Sequence, residues 1–191
     1  MGNSLKYIYQ HPLFSESDLE KIFSLHHLKE LKKGDFFLKE KEISNSYLVL
    51  ENGLMRSFVL DIDNNDITLE FFNENDAVID ASSLFQRIPS KENIQAITDC
   101  IVYEIYYDDF QELFHTIEGM REWGRMWFTF QLFQSRYQKI EMITETAKER
   151  YLKLLKEKPQ IIQQAPLKQI ATYLGITDTS LSRIRKEISE K

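Results

Sequence analysis

At 191 residues the chain can bury one good core or two modest ones. Hydrophobic residues at 42% and charged residues at 28% exclude a disordered chain, and no run approaches the ~20 uncharged apolar residues that span a bilayer. The net charge of −6 is divided: ten Lys or Arg against five acids over 146–191 make that stretch +5 and leave −11 before it, an acidic body with a small basic tail.

The start, Met1-Gly2-Asn3-Ser4-Leu5-Lys6, has neither the basic n-region of a signal peptide nor the Ser or Thr of a myristoylation pattern, so the expected compartment is the cytoplasm. Ser17-x-x-Glu20 is a capping box and predicts a short helix over 17–28 carrying Leu19, Ile22 and Phe23. From Leu31 to about Tyr107 short β-branched and aromatic runs follow: Phe36–Leu38, Tyr47–Leu50, Leu54–Leu60, Ile67–Phe72, Ala77–Ile79, Ile94–Ile97 and Ile101–Tyr106. Turn signals part them, among them Lys33-Gly34-Asp35, Asn52-Gly53 and the acidic run 61–66. Strands at this spacing without intervening helices predict a β-sandwich or jelly roll. Cys100, the only cysteine, excludes an intrachain disulfide and cysteine-rich metal sites, and its apolar neighbours mark it as core.

A short helix is expected over 108–116 and a long one over 118–142. On the long helix Trp123, Met126, Trp127, Phe130, Phe133, Tyr137 and Ile140 form one broad apolar stripe, while Phe128 and Leu132 lie opposite among polar residues. Two apolar patches call for two partners, the chain's own barrel and a sister helix in a dimer. Trp123, Trp127, Phe130, Phe133 and Tyr137 are the candidate dimer residues, and burial within a monomer's core is the alternative. A hinge is expected near Ile143-Thr144-Glu145, before a second capping box at Thr146-x-x-Glu149.

The tail carries the most specific motif. A helix over about 147–157 presents Ala147, Tyr151, Leu154 and Leu155 and stops at Pro159. Pro166 opens LKQIATYL, with Leu167, Ile170, Ala171 and Leu174 inward, and Gly175 supplies the positive φ of a tight turn. Thr177 can cap a last helix over 178–188. Helix, Gly-containing turn, helix is the helix-turn-helix pattern. On the last helix Leu181, Ile184 and Ile188 share an inner face, and Thr179, Ser182, Arg183 and Lys186 the outer one. Hydroxyls and a guanidinium near a helix start can reach base edges in a major groove, with Arg183 the candidate for guanine. Arg185 lies nearer the apolar face and is expected on phosphate or another helix.

Lys33-Gly34-Asp35, the strand 47–53, the segment Ile94–Tyr106 and the tail APLKQIATYLGITDTSLSRIRK together resemble the Crp/Fnr family of regulators over almost the whole chain. The resemblance implies an α+β chain: a cyclic-nucleotide-binding-type jelly-roll sensor over 1–116, a dimerisation helix over 117–143 and a helix-turn-helix over 144–191. It implies a homodimer on an approximately palindromic duplex, with RNA polymerase a partner if the protein is an activator. By position Asp178, Thr179 and Arg183 fall on base-contacting sites and Ser180 on a phosphate-contacting one. With Lys168, Thr177, Ser182, Arg185 and Lys186 they make up the expected DNA-binding set.

Two departures stand out. The family's Gly-Glu pair is replaced by Asp80-Ala81, and Lys91-Glu92 stands near its phosphate-clamping Arg. Losing the guanidinium removes a bidentate clamp, and the Asp repels an anion, so the sensor is expected to be degenerate and not to bind cyclic AMP or GMP tightly. Any effector is unknown; if one binds, its pocket would lie between barrel and long helix, with Ser82, Ser83, Lys91, Ser135 and Arg136 as polar residues, and the alternative is an empty barrel that only folds and dimerises. After Ile188 three residues remain, too few for the β-hairpin wing of many relatives, so Lys168, Arg185 and Lys186 are expected to supply more of the salt-dependent affinity.

A cupin-like metalloenzyme is the rival for the barrel, but His11, His26, His27 and His115 do not alternate along a strand as metal ligands would. No catalytic residue, metal or cofactor is expected, nor a membrane partner. The rival for the tail is a protein partner in place of DNA.

Overall fold

The computed structural model describes residues 2–189. Its elements in chain order are α1 (Asn3–Ile8), α2 (Glu16–Ser24), β1 (His27–Leu31), β2 (Phe36–Leu38), β3 (Ser46–Asn52), β4 (Met55–Leu60), β5 (Asp66–Phe72), β6 (Ala77–Val78) and α3 (Ala81–Gln86). After these come β7 (Asn93–Ala96), β8 (Cys100–Tyr106), α4 (Tyr107–Thr116), α5 (Gly119–Thr144), α6 (Ala147–Glu157), α7 (Pro159–Gln164), α8 (Leu167–Tyr173) and α9 (Asp178–Ser189). Among the described residues no helix is long and apolar enough to cross a membrane.

The strands form two antiparallel sheets, ordered β1-β8-β3-β6 and β2-β7-β4-β5, facing one another as a jelly roll. Leu31, Leu38, Leu48, Leu50, Met55, Phe72, Ile94, Cys100 and Val102 fill the space between them. Runs of buried residues that ignore the period of two mark strands covered on both faces. On β3, Leu48 and Leu50 point into the barrel, whereas Tyr47 and Val49 pack under the helices with Leu5, Phe110, Leu113 and Trp123. On β5, Phe72 points inward, and Phe71 lies outward beneath the tail with Ile170 and Leu174. Gly53, at φ 106°, makes the tight turn between β3 and β4. Asp61 closes the longer one, accepting the Asp63 and Asn65 amides at 2.8 Å.

Several elements differ from the sequence expectation. The first capping box is Ser15/Asp18, not Ser17/Glu20, and α2 ends at Ser24, so His27 and Leu28 belong to a strand. That strand, β1, was hidden because four of its five residues are exposed on a sheet edge. Helix α1 was hidden because its start is capped at long range, the Asn3 and Ser4 amides donating to the Glu51 carboxylate at 3.1 and 3.0 Å. Pro159 ends α6 and also starts α7, at the position where a missing N–H costs nothing.

The long helix splits its apolar stripe. Trp123 is buried against the barrel, stacked on Tyr9 with its indole N–H donating to the Ile8 carbonyl at 2.9 Å, so it is not available to a dimer partner. Trp127 is half-buried, and Phe128 meets Phe85 of α3 edge-on at 5.5 Å. Beyond them Met126, Phe130, Phe133, Tyr137 and Ile140 are all exposed.

Candidate nucleic-acid interface

The tail builds its own core from α6 to α9. Tyr151, Leu154, Ile161, Ile170, Ala171, Leu174 and Leu181 are buried together, with Ile184 and Ile188 packed against them. Gly175 adopts φ 68° between α8 and α9, and the Gly175 amide donates to the Thr172 carbonyl at 3.0 Å. Thr177 Oγ1 accepts the Ser180 amide at 3.2 Å, a side-chain cap of the kind worth ~1 kcal/mol. At the other end Lys148 of α6 pairs with Glu187 of α9 at 2.7 Å.

This packing leaves one face of α9 open. Thr179, Ser182, Arg183 and Lys186 are exposed on it, and Asp178 is exposed at its start. Arg183 forms no ion pair among the described residues. The Ser182 hydroxyl donates to the Asp178 carbonyl at 2.9 Å and keeps its acceptor lone pairs. Ser180 is half-buried and shares a hydrogen bond of 3.0 Å with the Thr177 hydroxyl, so both side chains are partly occupied by the cap. Arg185 is exposed rather than packed on a helix, and Lys168 is exposed on α8. An exposed face of hydroxyls and a guanidinium has the chemistry to read base edges and phosphates.

Arg150 was not foreseen. Its guanidinium donates to the Glu145 carbonyl and, at 2.8 Å, to the Leu174 carbonyl, tying the segment between α5 and α6 to the end of α8. Lys153 pairs with Glu141 across the same junction. The chain does break where a hinge was expected, but these contacts pin the break. The Glu145 carbonyl lies only five residues before Arg150, but the Leu174 carbonyl lies 24 residues after it, and nothing local reveals that second contact.

The residues expected around an effector differ in burial and bonding. Ser83 is fully buried, its hydroxyl donating to the Ile88 carbonyl at 2.7 Å and accepting the Ser44 amide at 2.9 Å. Ser82, Lys91, Ser135 and Arg136 are each exposed. Asp80 is buried because it caps α3, accepting the Ser83 amide at 3.0 Å. Glu92, half-buried, has its carboxyl pushed up by burial and also by the nearby Asp80. Asp80 and Glu92 thus set two carboxyl groups near the start of α3, one of them committed to capping that helix. A separate cleft of ≈ 430 Å³ opens over β1, β8 and β3 beside β2; there the buried Glu104 accepts from Ser46 at 2.7 Å and from Lys29 at 3.0 Å. Of the histidines, His26 is held within the core, contacting the Tyr9 hydroxyl at 3.2 Å and the Ile22 carbonyl at 2.8 Å.

Residues 28–116 match the family model of the cyclic nucleotide-binding domain. No curated protein matches the sequence. Among solved structures the chain is similar to FixK2 from Bradyrhizobium japonicum, with 18% identity, TM-score 0.73, and 86% of this chain and 85% of that one covered. It is similar to a Crp/Fnr-family protein from Eubacterium rectale, with 16% identity, TM-score 0.72, and 96% and 88% covered. It is also similar to CLP, the c-di-GMP responsive regulator of Xanthomonas campestris, with 14% identity, TM-score 0.67, and 92% of each chain covered. The chain thus has the fold of the Crp/Fnr regulators, a jelly roll of the cyclic nucleotide-binding type followed by a helix-turn-helix.

Proposed function

We propose that the protein is a cytoplasmic, homodimeric transcription regulator that reads an approximately palindromic duplex with α9 and has no enzymatic activity. The observation that carries this reading is the outer face of α9, where Thr179, Ser182, Arg183 and Lys186 stand exposed on a helix held from behind by Leu181, Ile184 and Ile188. Asp178, Lys168 and Arg185 border that face, and the +5 charge over 146–191 supplies phosphate affinity that falls with salt. The organisation is a sensor over 1–116, a dimerisation helix over 117–143 and a DNA-binding unit over 144–191.

Dimerisation is supported by the open half of α5. Met126, Phe130, Phe133, Tyr137 and Ile140 recur at alternating spacings of four and three, the seam of a coiled coil, and all are exposed. The sensor is proposed to answer to a ligand other than cyclic AMP, given Asp80 and Glu92 where the phosphate would lie. If the protein activates transcription, RNA polymerase is a further partner. Selection from a random duplex library tests the main reading. Enrichment of a two-fold-related sequence is the expected outcome, and enrichment of none favours a tail that binds a protein partner.

A further inference from the structure

Strand β5 is an edge strand, and its free side would ordinarily meet water. Here the tail covers it. The Thr68 amide donates to the Thr172 hydroxyl of α8 at 3.1 Å, and that hydroxyl donates to the Gln169 carbonyl at 3.1 Å. Farther along, Phe71 meets Tyr173 edge-on with ring centroids 5.1 Å apart, and Lys158 approaches Asp76 at 3.8 Å. Leu54, Phe71 and Ile97 from the outer barrel face belong to one continuous apolar cluster with the tail core.

Thr68 is also held from the barrel side. Arg56, only 2% exposed, donates to both Asp66 carboxylate oxygens at 2.5 and 2.6 Å and to the Thr68 hydroxyl at 3.0 Å. Its guanidinium lies 4.1 Å from the Phe58 ring centroid. The Arg56 Nε–H finds no acceptor, but the two terminal nitrogens tie Arg56, Asp66 and Thr68 into one hydrogen-bonded seat under α8. The turn after α8 rests on the end of α5, where a Cβ at Gly175 would fall 2.7 Å from the Met142 methyl.

We propose that this seat, rather than a swing after α5, sets the orientation of the recognition helix, and that Thr172 and Arg56 are positioning residues for DNA reading. The proposal rests on the DNA-binding role of α9. Helix α8 carries α9 through Ile170, Ala171, Leu174 and Leu181, so whatever fixes α8 on β5 fixes the outer face of α9 relative to its own barrel. In a dimer joined through α5, that geometry sets the distance between the two recognition helices and hence the half-site spacing.

The test compares full-length wild type with Thr172→Val, which keeps the shape and removes the hydroxyl, and with Thr172→Ser, which restores it. Two quantities are read: hydrogen exchange of the Thr68 amide, and the half-site spacings selected from a duplex library of variable spacing. Thr172→Val is expected to speed Thr68 exchange about tenfold, the worth of one hydrogen bond, and to broaden the selected spacings, with Thr172→Ser near wild type. Arg56→Met should broaden the spacings in the same way while leaving the α9 contacts intact. Unchanged exchange and unchanged spacing in Thr172→Val would overturn the proposal. If wild type selects no site, the DNA reading and the positioning role fall together, whereas faster Thr68 exchange still upholds the seat.

Discussion

Trp123 lies stacked on Tyr9, with ring centroids 4.8 Å apart and planes 27° apart. This pair divides the apolar stripe of α5 into a half that belongs to the barrel and a half that faces outward. The division decides what substitutions along one helix will do.

Phe133→Glu and Tyr137→Glu, on the open half, should each yield a folded monomer by sedimentation, because a carboxylate in a coiled-coil seam loses its hydration without a partner. Trp123→Ala should instead destabilise the fold by about 3–5 kcal/mol, the usual cost of removing a buried aromatic side chain. A Phe133→Glu protein that remains dimeric would rule out the α5 seam.

At the DNA face, Arg183→Ala should lose discrimination of about 1–3 kcal/mol at one base position, with affinity for other sequences little changed. Lys168→Ala should weaken binding evenly across sequences and reduce the salt slope by about one. Competition binding at two salt concentrations separates them. An equal loss across all sequences for Arg183→Ala would reassign it to phosphate.

Titration calorimetry with cyclic AMP should show no low-micromolar binding. Asp80 is committed to the start of α3, and Glu92 sits close enough for Asp80 to raise its pKa. A cyclic phosphate would therefore enter against carboxylates, with Lys91 a point charge in place of the clamping arginine. Saturable low-micromolar heat would overturn this.

Stability should fall as pH drops from 6.5 toward 4. His26 is buried between Tyr9 and Ile22, and burial lowers its pKa from 6.5 to about 4. The unfolded chain therefore holds more protons in that window, so stability is complete above it and declines through it, by up to about 3 kcal/mol at the acid end. Urea midpoints measured across the window should slope less in His26→Gln than in wild type. An identical slope in the two proteins would show that other groups account for it.

The sequence alone determined most of the strands, both halves of the helix-turn-helix and the chemistry of its outer face. Those features are local: alternation, a Gly at positive φ, a Thr cap and a wheel of Thr179, Ser182 and Arg183 each depend on residues a few positions apart. Asp80-Ala81 and Lys91-Glu92 were equally legible as departures from the family pattern, since they are read by position.

Tertiary structure decided how the parts are joined. Glu51 caps a helix some 47 residues before it, and Trp123 leaves the dimer stripe for Tyr9. Arg150 reaches the Leu174 carbonyl, and Thr68 meets Thr172 across 104 positions. Phe71 and Phe72 lie on opposite faces of β5, and nothing in the sequence around them says what covers the outer one. These contacts depend on which surfaces come together when two cores are packed, and no local pattern encodes that choice. Burial too was decided there: of the polar residues matched to an effector pocket by position, packing buries Ser83 and leaves Ser82, Lys91, Ser135 and Arg136 exposed.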